Sequence, residues 1–306
     1  MGETSPLTGV YGAPPDQLAP VPAGARQLSP LYPGAADLAE AAAGSYGRIV
    51  IAAPAGTLER RYALALALRA LASGAMLTVL AANDKGGARL AKELATFGCA
   101  VEEVSKSRCR ICTTRRPDLA IGIDGALQAG GPRLVEAIGL WSQPGVFSWD
   151  RIDPASRLLA ARLPPLKGAG ADLGCGIGTL ALAVLQSPSV RRLDLIEIDR
   201  RALAAAQRNV SDPRAHFHWV DATSLAEGLR ALDFVVMNPP FHAAAIEDKA
   251  LGLAFIRRAA QLLRRGGVCW LVANRHLPYE AALDAHFTSV RLDCEADGFK
   301  VIEAKA

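Results

Sequence analysis

Apolar runs and stretches of helical spacing alternate along most of the chain. RIVIAAP (48–54) reads as a buried strand and TLERRYALALALRALASG (57–74) as a helix ending at a glycine. LTVLAAND (77–84) and GGARLAKELATFG (86–98) repeat the pair, AVEEVSKSRCRICTT reads as further strand, and DLAIGIDGAL (118–127) as a strand with a loop. QPGVFSWDRIDPAS (143–156) interrupts this rhythm, which then restarts more strongly. ADLGC (171–175), RLDLIEID (192–199), AHFHWVDA (215–222), LDFVVMN (232–238) and VCWLVAN (268–274) read as strands. The segments GTLALAVLQ, RRALAAAQRNV and AFIRRAAQLLRRGG between them read as helices, and SVRLDCEADGFKVIEA as a terminal hairpin turning at Asp297–Gly298. Such alternation predicts parallel, helix-covered sheets, hence two α/β halves. Residues 1–35, rich in Pro, Gly and Ala without periodicity, predict a mobile tail or extended arm. The expected division is 1–35, 36–142 and 143–306.

Composition narrows the class. The chain is 51% apolar, enough to bury a core, yet has no run of about 18 uncharged apolar residues that would span a membrane. Its first residues lack a signal-peptide pattern. Six scattered cysteines suggest reduced thiols in a cytoplasm. Cys109–Cys112 is a lone CxxC without a second pair, so no metal is expected. The net charge is a mild +4. Residues 105–116, SKSRCRICTTRR, concentrate Lys106, Arg108, Arg110, Arg115 and Arg116 without an acid; the run suits phosphate contacts or a solvated edge strand.

DLGCGIGTL (172–180) follows a strand and opens a helix. Gly174, Gly176 and Gly178 permit positive φ and close approach of a ligand, with the helix N-terminus behind them. The spacing is not the dinucleotide fingerprint G-x-G-x-x-G. Asp172 beside the loop would oppose a pyrophosphate but suits a ligand carrying an ammonium, which points to an amino-acid-bearing cofactor. Glu197, ending the next strand, is placed to accept from ribose hydroxyls, while Asp199 reads as a helix cap. Asp221 and the backbone of Ala222 end the third strand, where they suit an adenine amine. Cys175 in the loop is expected to pack, and Met237, Trp141, Trp149 and Trp270 to be core or boundary residues.

LDFVVMNPPFH (232–242) closes a core strand on Asn238-Pro239-Pro240-Phe241. A residue before proline is held extended, and proline fixes its own φ. The Asn238 carboxamide oxygen and the Pro239 carbonyl thus make two fixed acceptors, matching the hydrogens of a planar NH₂ group, with Phe241 to stack on its ring. Two acceptors return electron density to a delocalised amine and stabilise the positive charge that develops as it attacks.

DLGCGIG followed by NPPFH resembles the class I S-adenosylmethionine-dependent methyltransferases of exocyclic amines. With GVFS (145–148), VAN and LPY (272–274, 277–279) and GFKV (298–301), the chain over roughly 143–303 resembles the 16S rRNA guanine-N2 methyltransferase family. The resemblance implies two tandem Rossmann-like methyltransferase domains, the first degenerate and serving RNA recognition. It implies that Asp172, Gly174, Gly176, Glu197 and Asp221 line the S-adenosylmethionine site, and that Asn238, Pro239 and Phe241 hold the target guanine. It also implies that Phe147 and Ser148 lie over cofactor or base, and His242 and Asn274 near substrate. Arg275 has no counterpart in the family pattern and is a candidate for RNA phosphate, as are Lys106, Arg108 and Arg110. Where the second half has DLGCGIG the first has AAPAGT (52–57), and where the second has NPPF the first has GIDGAL (122–127). The expected partner is rRNA or the small ribosomal subunit, with the enzyme a monomer. The readings left open are another planar amine (large-subunit rRNA guanine, nucleic-acid adenine, protein glutamine) and a non-catalytic RNA-binding protein that keeps the fold.

Overall fold

The computed structural model describes residues 6–224, 228–239 and 246–306, with the side chains of 246–249 left aside. In chain order the elements begin with strands β1 (Leu7–Tyr11), β2 (Arg26–Gln27) and β3 (Tyr46–Ala52), helix α1 (Thr57–Ala70), strand β4 (Leu71–Ala82), helix α2 (Leu90–Ala95) and the hairpin β5 (Val101–Lys106) and β6 (Cys109–Arg115). Helix α3 (Ile123–Gly130), strands β7 (Arg133–Val135) and β8 (Leu140–Ser142), and α4 (Pro154–Arg162) follow. Then come β9 (Gly168–Leu173), α5 (Thr179–Val184), β10 (Val190–Glu197), α6 (Arg200–Asn209), β11 (Ala215–Trp219), β12 (Leu232–Met237), α7 (Ile246–Leu262), β13 (Leu263–Asn274), α8 (Glu280–His286), β14 (Ser289–Ala296) and β15 (Phe299–Lys305). Among the described residues no helix is long and apolar enough to cross a membrane.

Two compact units form, as the two α/β halves predict, but the division near 142 is interleaved. Arg133–Ser142 belongs with Val146–Ala306, whereas Gln143–Gly145 returns to the first unit. Side chains explain the exchange. The Asn209 carboxamide accepts from the Trp141 amide at 2.7 Å and donates to its carbonyl at 3.0 Å, while Gln143 donates to the Gly130 carbonyl at 3.0 Å.

The second unit is a seven-stranded sheet in the order β11-β10-β9-β12-β13-β15-β14. The first five strands run parallel, and β15 lies antiparallel between β13 and β14. This is the helix-covered, mainly parallel sheet that the alternation predicts, ending in the expected hairpin, with Asp297 at φ 53° and Gly298 at φ 84°. Gly170 lets β9 sit flat against β12, since a Cβ there would lie 2.2 Å from the Phe234 ring. Met237 and Trp270 are core residues; Trp141 and Trp149 are half-buried at the boundary. The order of strands reverses between β9 and β12, so their carboxyl ends open the crevice where such sheets bind ligands.

The first unit is a six-stranded sheet, β2-β1-β3-β4-β6-β5, and two expectations fail in it. Residues 6–35 are not a tail: β1 lies between β2 and β3, and Leu28, Val10 and Ala19 are buried. Gln27 locks the segment by accepting from the amides of Gly12, Leu28 and Ser29 and donating to the Gly12 carbonyl. The strand expected at 118–127 is instead a loop leading into α3, which starts after Gly122 in left-handed conformation (φ 69°).

Strand register relates the units residue by residue. Ile51 pairs with Val79 and Tyr11, as Met237 pairs with Leu271 and Leu173. Val10 pairs with Gln27, as Asp172 pairs with Leu195. On this register Val10 stands where the second unit has Asp172, Gly12 where it has Gly174, Ser29 where it has Glu197 and Ala52 where it has Asn238. The first unit's equivalents of the glycine loop and of NPPF are therefore at 12–16 and 52–55, not at 52–57 and 122–127. Of the glycine loop only the first, left-handed glycine survives, at φ 79° in Gly12 and 72° in Gly174. The carbonyls of Pro54 and Ala55, within the NPPF equivalent, are consumed by the guanidinium of Arg60, at 3.0 and 2.7 Å. Arg60 is in turn paired with Glu93 at 2.7 Å, with side-chain exposures of 1% and 9%.

Removing one member of that pair leaves a buried charge without its counter-ion. Glu93→Leu should lower the stability of the first unit by about 3–5 kcal/mol, and Arg60→Met/Glu93→Leu by less. Hydrogen exchange of the β3 and β4 amides reads the difference; a double variant no milder than the single one would contradict it.

Candidate active site

The glycine loop is built from three left-handed residues, Gly174, Gly176 and Gly178, at φ 72°, 54° and 91°. At Gly176 an added Cβ would meet nothing within 4 Å, so that glycine's bare face looks into open space. At Gly178 it would lie 2.8 Å from Val210, so that glycine permits close packing of α5 on α6. Glu197 ties the loop to the next strand. Its carboxylate accepts from the amides of Gly176 (2.9 Å), Ile198 (2.8 Å) and Asp199 (2.9 Å). Burial raises its pKa against the pull of those amides. Asp199 caps α6, as expected, accepting from the Arg201 amide.

Asp172 is fully buried, and neither carboxylate oxygen has a hydrogen-bond partner among the described residues. Burial first, then the charge of Glu197, push its pKa to about 8, with the Ala181 amide pulling the other way. Burial likewise raises the Cys175 thiol well above its usual value, which makes it a packed rather than a reactive sulfur. Asp221 turns inward on its own loop: Oδ1 accepts from the amide and hydroxyl of Thr223 at 2.7 and 2.8 Å, over the buried Ala222.

Asn238 follows β12 directly. Its Nδ2 donates to Asp153 Oδ2 at 2.8 Å and to Ser156 Oγ at 2.9 Å; its Oδ1 has no partner among the described residues. Asp153 is the N-cap of α4, accepting from the Ser156 amide at 2.8 Å, with Pro154 at the first helical position. Pro239 is buried beside it. Asn238, Asp153 and Ser156 line one cavity with Gly174, Cys175, Gly176, Ile177, Thr179, Leu180, Arg151, Phe147 and Ser148. Phe147 is 61% exposed, and Ser148 takes a left-handed φ of 49°. The stacking role expected of Phe241 and the substrate role expected of His242 fall outside the described residues.

Asn274 and Arg275 stand at the end of β13, outside this cavity, on a loop held from below by the buried Lys300, which donates to the Leu277 carbonyl at 2.7 Å and pairs with Glu280. That contact joins FKV to LPY, and strand pairing sets VAN beside FKV, with Ala273 opposite Lys300. Lys106, Arg108 and Arg110 lie in the first unit, on the β5–β6 hairpin. Lys106 donates to the Gln17 carbonyl at 3.1 Å and Arg110 pairs with Glu103 at 2.5 Å, so the basic run is largely satisfied internally. The exposed Arg108, at the turn (φ 59°), has no side-chain partner among the described residues. Asp153, Ser156 and Arg151 were not anticipated as site residues. The signal was the Asp-Pro-x-Ser start of α4, inside a segment read only as a break.

Known proteins resemble this chain in sequence and fold. The methyltransferase small domain model matches residues 137–303. The ribosomal RNA small subunit methyltransferase C of Pseudomonas paraeruginosa is 30% identical over 287 residues, 91% of this chain and 85% of that one. That of Hahella chejuensis is 34% identical over 171 residues, 56% of this chain and 50% of that one, and the Shewanella pealeana protein is 32% identical over 51% of this chain and 46% of its own. The chain thus spans about half the length of these two curated relatives. A T. thermophilus 16S rRNA N2 methyltransferase (RsmC), solved in complex with AdoMet and guanosine, superposes with a TM-score of 0.77 at 26% identity, over 100% of this chain and 89% of that one. With a family model covering its C-terminal unit and a relative aligned along nearly its whole length, the chain belongs to the ribosomal RNA small subunit methyltransferase C family.

Proposed function

We propose that this chain transfers a methyl group from S-adenosylmethionine to the exocyclic N2 amine of a guanine in 16S rRNA. The observation that carries the reading is the state of Asn238. Both hydrogens of its carboxamide are consumed by Asp153 and Ser156, which leaves the oxygen as the end available to a substrate. A planar amine needs acceptors, and this oxygen stands beside the glycine loop at the carboxyl ends of β9 and β12. S-adenosylmethionine, when bound, supplies an electrophilic methyl group on a sulfonium.

The chain's residues do the rest. Asn238 Oδ1 and the Pro239 carbonyl accept from the two N2 hydrogens, return the nitrogen lone pair from the ring and stabilise the charge that develops on nitrogen. The nitrogen sheds its extra proton after transfer, when it has become acidic, so no strong base is required. Asp172 fits the cofactor's ammonium because its buried oxygens have no close hydrogen-bond partner among the described residues. Glu197 is the ribose acceptor, Asp221 and Ala222 the adenine contacts, and Phe147 and Ser148 the cover of the pocket. Phe241 and His242 complete the guanine site. Asn274 and Arg275 face the RNA, and the first unit contributes recognition through Arg108, with Lys106 and Arg110 beside it. Action on rRNA or the small subunit places the protein in the cytoplasm in this reading.

Mass mapping of 16S rRNA nucleosides from a deletion strain should show the loss of one N2-methylguanine, restored by the wild-type gene but not by Asn238→Ala. The purified Asn238→Ala protein should bind S-adenosylmethionine within about twofold of wild type while turnover falls about 10²–10³-fold. Persistence of every N2-methylguanine would refute the assignment.

The pH dependence follows from Asp172. In the unfolded chain its carboxyl ionises near the ordinary 3.8, whereas the folded unit keeps the proton up to about 8. The folded state therefore binds more protons across that window, and stability falls as pH rises through it. Asp172→Asn removes this titration. Without cofactor, its unfolding free-energy margin over wild type, measured by denaturant titration, should widen from pH 5 to pH 8 by on the order of a few kcal/mol and then level off. Its affinity for S-adenosylmethionine should fall at least about tenfold, as loss of a charge-assisted bond implies. A pH-independent margin would contradict the assignment.

A further inference from the structure

A carboxamide has nearly the same shape when turned end for end, but only one orientation serves an amine. With the oxygen toward the substrate, Asn238 accepts; turned over, its NH₂ would oppose the hydrogens of the guanine amine. Its two partners are not equivalent in deciding the orientation. The Ser156 hydroxyl donates or accepts and would tolerate either end. The Asp153 carboxylate only accepts, so it tolerates Nδ2 alone. We infer that Asp153, with Ser156 in support, is a positioning residue that fixes the Asn238 carboxamide with its oxygen toward the substrate amine, an inference resting on the proposed role of Asn238.

The frame around Asp153 is stiff. The same Oδ2 that takes Asn238 Nδ2 also takes the Ser156 amide at 2.8 Å, as the N-cap of α4, and Pro154 sets the first helical residue. Leu159 of that helix is fully buried in one core cluster with Val236 of β12, two residues before Asn238. The helix start and the strand end are thus packed on shared ground, and Asn238 is held between them. The negative Asp153 also polarises the carboxamide it binds. That moves electron density onto Oδ1 and strengthens the acceptor that meets the developing positive charge. Asp153 touches neither reacting atom in this account; its effect passes through Asn238.

The test is a double-mutant cycle read by single-turnover methyl transfer to unmethylated 16S rRNA, free and assembled into small subunits. Asp153→Ser keeps a capping side chain but withdraws the carboxylate. It should slow transfer by at least about tenfold in the wild-type background and by less than about twofold in the Asn238→Ala background. S-adenosylmethionine affinity should stay within about twofold of wild type, because the glycine loop is untouched. Asp153→Asn, whose amide oxygen caps and accepts in the same place, should recover part of the rate. Ser156→Ala, which spares the cap acceptor, should slow transfer by a smaller factor and guards against a variant that fails to fold. Equal slowing by Asp153→Ser in both backgrounds, or none in either, would overturn the inference while leaving the reading of Asn238 standing. A wild-type rate for Asn238→Ala alone would overturn that reading and this inference together.

Discussion

The site depends on the two hydrogen bonds from the Asn238 amide to Asp153 and Ser156. They convert a rotatable side chain into an acceptor with one direction. They also join two elements distant in sequence, the start of α4 and the end of β12. β12 in turn lies against β9, with Met237 opposite Leu173, so that the acceptor and the glycine loop emerge side by side at one edge of the sheet. Glu197 completes the arrangement by holding the Gly176 amide. The fold's contribution is to bring these strand ends together; the proposed chemistry rests on a handful of polar groups held there.

The first unit shows how little separates a scaffold from a site. It repeats the strand order and register of the second, down to the left-handed glycine after its first strand. Yet Val10, Ser29 and Ala52 occupy the positions of Asp172, Glu197 and Asn238. The carbonyls of Pro54 and Ala55 in its loop are bonded to Arg60. Apolar pairing maintains the sheet in both units. A buried ion pair holds the loop carbonyls in one, and in the other Asn238 lines a cavity with an oxygen that has no partner among the described residues. A shared fold therefore says nothing by itself about shared activity.

What was readable in the sequence follows the range of the interactions involved. Long apolar runs such as LDFVVM and LDLIE are strands in both readings because burial on two faces needs no knowledge of the partner. The turn at Asp297–Gly298 and the glycines at 174, 176 and 178 were legible because positive φ has a local signature. Residues 7–29 were not: a five-residue strand and a two-residue strand set among prolines become structure only through Gln27 and the neighbouring β3. The basic run at 105–116 left phosphate contacts and a solvated edge strand equally open, because the Gln17 carbonyl that takes Lys106 comes from a distant segment and Glu103 meets Arg110 only once the hairpin pairs. Asp153 was hidden for the same reason. Its sequence says helix cap, and only the tertiary fold adds that a strand-end asparagine meets the same oxygen.

The orientation of the Asn238 carboxamide is the central claim, and a high-resolution crystal structure with S-adenosylhomocysteine and guanosine bound tests it most directly. Asn238 Oδ1 and the Pro239 carbonyl should each lie about 2.7–3.2 Å from the guanine N2, with Nδ2 still on Asp153. A guanine whose N2 faces elsewhere, or an Asn238 whose amide hydrogens point at the base, would contradict it.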